Sequence, residues 1–462
     1  MKKQLLAIVV LLFLSTGIAI AQKKVISGTV TDGASKETIA GVSVRIKGGT
    51  LSTSTNQNGA FAIQAGPADQ LVFSYTGYTT VTTPVGTHTK IDITLESNTA
   101  QLNEVVLIGT RSAGRVKLET AVPVDIVNVS KSAATTGRME LTDILNYAAP
   151  SFNYNKQSGS DGADHVELGT LRGLGPDQTL VLVNGKRRHS TAFVSVFGTR
   201  GRGNSGVDLS AIPTASIERV EILRDGASAQ YGSDAIAGVI NIVLKKTVNQ
   251  FNVNAGYSGY YDPAFNSGKS IVANQYPHGG AIDGNAVNVD ANYGFKIGKE
   301  GFLNITADYS KSGKTYRQVH DTATANPKAL PVNTARRANG DGSSENGTIF
   351  FNNEIPVSSK TTFYSFGGYS YKASDAYAFS RNFLARPDRF PTTAAGTLIP
   401  VDGIIFNTPN GDSYYNPLIQ THNTDLAFAA GLKGSFGDAW NWDFSNNTGN
   451  NNFHFYGEKT FN

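Results

Sequence analysis

Apolar and polar residues alternate with a period of two along most of this chain, the spacing of strands, and rarely with the 3.6-residue period of a helix. A first set of short runs, Val25–Thr31, Val42–Ile46, Ala60–Ile63, Leu71–Tyr75 and Ile91–Leu95, is broken by turn signals at Asp32-Gly33, Gly48-Gly49 and Asn58-Gly59. That spacing predicts one small β-sandwich of about 70 residues. Further on, Thr179–Val183 reads as a buried strand ending in the Asn184-Gly185 turn, and Met139–Tyr147 as a short helix stopped by Pro150.

From residue 247 the alternating runs lengthen to about ten residues. Val287, Val289, Ala291, Tyr293 and Phe295 alternate with Asn288, Asp290, Asn292 and Gly294, and Leu303, Ile305, Ala307 and Tyr309 with Asn304, Thr306 and Asp308. Strands are expected near 250–259, 286–296, 302–311, 347–356, 362–372, 425–436 and 440–458. Their links run long, short, long, short, long, short; the short ones are Ile297–Gly301, Val357–Thr361 and Gly437–Ala439. A soluble sandwich has no reason to alternate its link lengths, whereas an outer-membrane barrel does. Trp440, Trp442 and Phe444, just after a short link, suit an interfacial aromatic girdle.

Composition agrees. Charged residues make up 16% of the 462, against about 25% in soluble domains. There are 49 glycines and no cysteine, which excludes disulfides, thiolate metal sites and cysteine nucleophiles. Lys2-Lys3, the apolar run Leu5–Leu14 and Ala19-Ile20-Ala21 read as a secretory leader over residues 1–21. No apolar run is long enough for a membrane-spanning helix. The net charge of +4 leaves no footprint for nucleic acid. The seven histidines are scattered and no metal-ligand or nucleophile motif occurs, so neither enzyme, metal nor cofactor is expected. Gly201–Gly206 satisfies G-x-G-x-x-G, but Pro213 argues against the helix a dinucleotide site needs.

Three features remain. Arg219 and Glu221 lie on an otherwise apolar strand and must pair inside the domain or meet a polar wall. Lys186, Arg187, Arg188, His189, Arg200 and Arg202 cluster around a loop; they either present positive charge to an anionic ligand or form a solvated turn surface. Leu102–Ile108 is a short β-prone run between two modules, suited either to the sandwich edge or to adding a strand to a partner's sheet.

The phrases GTVTDGASKETIAGVSVRIKGG, STSTNQNGAFAI and LVFSYTGY resemble the carboxypeptidase-regulatory-like domain at the front of many Bacteroidetes outer-membrane receptors. LRGLG, TLVLVNGKR and IERVEILRDGASAQYGSDAIAGVINIVLK resemble, in order and spacing, the plug domain of TonB-dependent outer-membrane receptors. The resemblance implies plug and barrel-contact roles for Arg172, Gly173, Asn184, Gly185, Glu218, Arg219, Glu221, Arg224, Gly226, Tyr231, Gly232 and Asn241. Asp225 and Asn184 depart from the common Gly and Asp, which bears on wall contacts rather than on the fold. Glu104, Val105, Val106, Leu107 and Ile108 fall where such receptors carry the TonB box.

The expected architecture is therefore mostly β: signal peptide 1–21, β-sandwich 22–97, linker 98–116, α+β plug 117–246, and part of a transmembrane antiparallel β-barrel over 247–462. Seven strands are too few to close round such a plug. About 22 strands give a backbone radius of roughly 22 Å, and a domain of ~130 residues, with a radius of gyration near 14 Å, needs that width. The resemblance implies active import of a ferric siderophore or other iron complex, with a starch-utilisation-type glycan importer or a non-transporting signalling receptor as alternatives. Its implied partners are periplasmic TonB with the inner-membrane energising complex, outer-membrane lipid, a nutrient ligand and a surface lipoprotein. The ligand surface is expected at Asn153–His165, His189–Gly206 and loops 260–284, 312–346 and 373–424, with Arg187, Arg188, His189, Arg200 and Arg202 as candidates.

Overall fold

The computed structural model describes residues 23–33, 36–49, 51–75, 78–96, 105–106, 115–116, 124–196, 201–224, 228–261, 282–316, 340–407, 413–437 and 440–461. Contacts divide the chain into two compact units. The first is a sandwich of β1 (Lys24–Asp32), β2 (Ser43–Ile46), β3 (Ser52–Ser54), β4 (Ala60–Ala65), β5 (Gln70–Ser74), β6 (Val81–Pro84) and β7 (Ile93–Leu95). One sheet runs β4-β1-β7 and the other β3-β2-β5-β6. Alternation sends Ile26, Val30, Val44, Phe61, Leu71, Phe73 and Leu95 into a shared core. Phe61 and Phe73 meet edge to face at 5.2 Å. The Asn58-Gly59 turn places Gly59 at φ +69°, where a side chain would be strained. Strands β3 and β6 went unpredicted because Ser-Thr-Ser and Val-Thr-Thr-Pro carry no apolar alternation; they bury no residue fully.

In the linker, β8 (Val105–Val106) and β9 (Arg115–Val116) form a two-stranded ladder. The second unit begins with β10 (Val124–Asn128), α1 (Val129–Thr136), α2 (Leu141–Ala148), β11 (Phe152–Asn153), β12 (Thr170–Leu171), β13 (Thr179–Val183) and β14 (Lys186–Arg187). It continues through β15 (Ile217–Leu223), α3 (Ser228–Tyr231) and β16 (Gly238–Leu244). A five-stranded sheet runs β10-β15-β16-β13-β14, with β13 parallel to β16. Every residue of β13 and β16 is buried, the reason both read as near-continuous apolar runs rather than alternating ones. The predicted helix appears as α2, shifted to Leu141–Ala148, and buries Leu141, Ile144 and Leu145 on one face. Helix α1 was not predicted: its sequence VSKSAATT buries only Val129. Its start is fixed by Asn128, whose side chain accepts from Lys131 N, and its end by Gly137 at φ +69°.

The rest of this unit is an antiparallel meander of β17 (Phe251–Tyr261), β18 (Ile282–Ile297), β19 (Gly301–Ser312), β20 (Ser343–Ser358) and β21 (Thr361–Tyr377). A long excursion then carries a small sheet of β22 (Arg381–Asn382), β23 (Phe406–Asn407) and β24 (Ser413–Tyr415), before β25 (Leu418–Phe436) and β26 (Trp440–Glu458) complete the seven-stranded wall. All seven strands fall where expected and several are longer, up to 19 residues. Burial along them is inverted. Asn292, Asn304, Thr306, Thr348, Asn352 and Asp425 are buried, while Val289, Ile305, Ile349, Leu426 and Phe428 are exposed. The polar rows face the plug.

Candidate functional site

The plug meets the wall through polar side chains, and the sequence motifs converge there. At the Asn184-Gly185 turn, Asn184 sits at φ +47° and its carboxamide oxygen accepts from Leu244 N at 3.0 Å. Its amide donates to Asn352 Oδ1 of β20 at 3.2 Å. Gly185 N donates to Asn241 Oδ1 at 2.9 Å, and Asn241 Nδ2 donates to Glu221 Oε2 at 3.1 Å. Glu221, wholly buried, pairs through Oε1 with Arg219 Nη2 at 2.9 Å. The two charges expected on one strand therefore pair within the domain, inside a network that ends on the wall. An unpaired carboxylate at that depth would be costly, which explains why Asn241 and Arg219 accompany it.

The remaining motif residues hold the plug's own loops. Arg172, at φ +56°, donates to Arg224 O at 3.1 Å, and Arg224 pairs with Asp125 at 3.1 Å. Gly173 N donates to Asn153 Oδ1 at 2.9 Å. Glu218 is exposed, 3.6 Å from Arg219, and Tyr231 packs partly against the sheet while Gly232 turns the chain at φ +98°. Gly226 and Arg200 lie outside the described residues.

The cationic cluster meets carboxylates rather than open space. Lys186 pairs with Asp443 of β26 at 3.0 Å, and Arg187 with Asp234 of the plug. Arg188 is buried against Asp425 of β25, and His189 Nε2 lies 2.9 Å from the other oxygen of the same carboxylate. Asn451 Nδ2 donates to that oxygen at 3.0 Å, and Asn423 Nδ2 to Asp208 Oδ2 at 3.2 Å. His189 also needs Gly449 beneath it: a Cβ there would collide with its imidazole. Arg202 is likewise engaged.

Residues 153–165, 191–196 and 201–206 lie at the end of the wall that carries the long links. Gly340 N donates to Ser158 Oγ at 2.7 Å, His165 Nδ1 meets Thr421 Oγ1 at 2.7 Å, and Phe193 packs on Phe453 at 5.2 Å. Burial pushes the His165 imidazole below its usual pKa. The G-x-G-x-x-G segment folds back as a hairpin, with Thr191 N bonded to Gly206 O at 2.8 Å, and leads into a short 3₁₀ turn at Leu209–Ala211. Between these loops lies a cavity of about 270 Å³ lined by Asn153, Tyr154, Gln157, Thr170, Ser195 and Asn204 among others, with no charged side chain among the described residues.

A second cavity, of about 310 Å³, separates α2 and the segment around Leu209 from β17–β20. Glu167 lies in its lining. Thr142 Oγ1 donates to it at 2.8 Å, and Lys372 of β21 stands 3.8 Å away. Burial, reinforced by Glu140 and opposed by Lys372, pushes its carboxyl up to about 7.

Sequence reading missed the wall partners Asp425, Asn451, Asn352, Lys372 and Gly449. Their polar side of the alternation was visible, but nothing in it says which of many inward polar residues meets which plug residue. Of the candidate strand 104–108, only the backbone of Val105–Val106 is described; Glu104, Leu107 and Ile108 lie outside the described residues.

Family models match two stretches: a CarboxypepD_reg-like domain over residues 26–107 and a TonB-dependent Receptor Plug Domain over 116–239. A TonB-dependent receptor of Formosa agariphila is 33% identical over 230 residues, 48% of this chain and 21% of that protein. The ferric enterobactin receptor PirA of Pseudomonas aeruginosa is 32% identical over 150 residues, 32% of this chain and 20% of its own length. The TonB-dependent receptor SusC of Bacteroides thetaiotaomicron is 30% identical over 264 residues, 56% of this chain and 24% of SusC. The chain thus covers between a fifth and a quarter of the length of these relatives. Residues 116–239 thus match the plug domain of TonB-dependent receptors, and residues 26–107 a CarboxypepD_reg-like domain.

Proposed function

We propose that this chain is the front part of an energised outer-membrane importer, receptor rather than enzyme. The sandwich and linker stand in the periplasm, and the seven strands span the membrane. The observation that carries the reading is the chemistry of the plug–wall contact. It is a set of hydrogen bonds and ion pairs, Asn184–Asn352, Lys186–Asp443 and Arg188–His189–Asp425, which water can replace when the plug moves. An apolar contact of that size would resist opening and aggregate once open. An outer membrane offers no ATP, so the work comes from outside: TonB, driven by the inner-membrane complex, adds a strand to residues 104–108 and pulls.

The cargo we favour is a ferric siderophore, supported by the 32% identity to the ferric enterobactin receptor PirA. A glycan cargo, with a surface lipoprotein as partner, is supported by a separate observation: among the described residues, the 270 Å³ cavity among the plug loops is lined by carboxamides, hydroxyls and a tyrosine beside Ala163, Val166, Leu168, Leu174 and Pro176, without charge. Neutral polyhydroxyl ligands suit such a lining, and SusC is among the relatives. The cationic loop that would favour an anionic cargo is largely neutralised by Asp234, Asp425 and Asp443.

The test is uptake of labelled ferric siderophores and of labelled oligosaccharides by cells carrying the receptor at its native length, with and without residues 104–108. Import of one cargo class, abolished by the deletion, is expected. Undiminished uptake after the deletion overturns energised import, and binding without uptake in either form indicates the signalling alternative.

A further inference from the structure

The cavity of about 310 Å³ between plug and wall has two unlike sides. Strands β18–β20 contribute Asn288, Asp308, Ser310 and Asn346, all from their inward polar rows. The plug contributes Met139, Leu209, Ile212 and Pro213. Each of these strands is paired on both flanks, β18 with β17 and β19, β19 with β20, and β20 with β21. The polar side therefore lies within the sheet and not at its margin. Ser310 and Ser344 stand near the strand ends joined by the long link 312–346, which the proposed membrane placement turns outward. The lining shares no residue with that of the 270 Å³ cavity among the plug loops.

Two acceptors in this lining are unsatisfied. Asn346 is 8% exposed, and its Nδ2 donates to Ser210 O at 3.4 Å. Asn288 Nδ2 donates to Asp308 Oδ2 at 3.1 Å. Those bonds fix which end of each carboxamide is the oxygen. Both oxygens are buried and, among the described residues, neither has a donor. A buried acceptor without a donor is costly, so the site calls for an occupant that donates. Charge narrows the choice. Arg138 stands 3.9 Å from Asp143, Lys311 2.9 Å from Glu345 and Lys372 3.8 Å from Glu167. Asp308 adds a further carboxylate. An anionic ferric complex would meet carboxylates here, with each lining cation among the described residues already beside one. Water satisfies the polar side and gains nothing from the apolar one. A sugar ring answers both, with hydroxyls around its rim and C–H groups on its faces. The volume lies at the small end of small-molecule sites.

We propose that this cavity is an inner cargo subsite for one neutral sugar unit of a glycan. Its hydroxyls donate to the oxygens of Asn288 and Asn346, and its ring face packs on Leu209 and Ile212. The inference rests on the glycan reading of the cargo, and adds to it a second holding point, between plug and wall.

The sequence contains no cysteine, which makes single thiols specific reporters. Ser310→Cys reads the inner cavity and Ser195→Cys the outer one, each in the native-length receptor in outer-membrane vesicles. A small water-soluble thiol reagent should modify both. The probes are neutral oligosaccharides of glucose, mannose and xylose, with ferric enterobactin as the anionic comparison. A sugar that the cells import should slow modification of Ser310→Cys about tenfold at about ten times its half-protecting concentration, and ferric enterobactin should not. Asn346→Leu should abolish that protection while Ser195→Cys stays protected, which shows that the plug is still folded. Asn288→Leu should do the same from β18, and Asn346→Asp, which keeps the shape and an acceptor, should retain most of the protection. Import with protection of Ser195→Cys alone, or protection of Ser310→Cys that survives both leucine variants, overturns the subsite and leaves glycan import standing. Uptake of none of the sugars, with neither thiol protected, overturns the glycan reading and the subsite with it.

Discussion

The sandwich and the wall are written in the same two-residue alphabet and use it in opposite senses. In β1, Ile26 and Val30 are fully buried while intervening polar residues meet water. In β18 and β20, Asn292 and Asn352 are buried while Val289 and Ile349 stand 43% and 64% exposed. Alternation reports that the two faces of a strand differ; it is silent on which face is covered. What covers a face decides the sense: a second apolar sheet in the sandwich, and a polar plug in the wall. On the proposed membrane placement, the wall leaves its apolar rows outward because its solvent there is lipid.

The comparison breaks most visibly if a core position is emptied on each side. Phe73→Ala should cost the sandwich about 3–5 kcal/mol, and Ile349→Ala should cost the wall under about 1 kcal/mol, because its side chain packs against no protein core. Urea unfolding of the receptor in lipid vesicles, followed by tryptic release of the front unit and by loss of barrel heat resistance, separates the two. Equal losses would show that the outward rows are covered by protein throughout.

Next comes the plug contact. Asp425→Ala leaves Arg188 buried without its carboxylate and His189 without its partner, a break of about 3–5 kcal/mol that is softened where water enters. The plug, not the barrel, should loosen, seen as protease cleavage within 186–206 in an otherwise intact receptor. Asp425→Asn, which keeps the shape and one acceptor, should restore part of the protection.

The smallest effect is a pH dependence. The Glu167 carboxyl rises to about 7 in the folded state through burial, so between its unfolded value and about 7 the folded protein holds the proton that the unfolded chain has released. Stability of plug docking should therefore fall as pH rises from about 4.5 to about 7 and then level off. Glu167→Gln should flatten that slope in protease-protection titrations. A slope unchanged by the substitution would assign it to other groups.

Much of this was legible beforehand, for identifiable reasons. The seven wall strands were readable because each spans many alternating residues, and the α2 helix because Leu141, Ile144 and Leu145 share a face. The polar strands β3 and β6 and helix α1 were not, since each has little apolar surface of its own and exists because neighbours hold it in place. At the plug, the residues Asn184, Gly185, Arg219, Glu221 and Asn241 stood out as motif members, and the fold joins them in one network. The cluster Arg187–Arg188–His189 was legible as charge but not as paired charge, because Asp425 lies 237 residues from Arg188.

The amino-acid sequence alone determined the modules, the strand count of the wall, the alternation of long and short links and the identity of the plug motifs, all of which depend on local pattern and spacing. Only the tertiary structure decided which face of each strand is covered and which carboxylate meets which cation. Those are matters of long-range register. A strand's neighbour can be hundreds of residues away, and the free energy of a polar group is set by what stands opposite it.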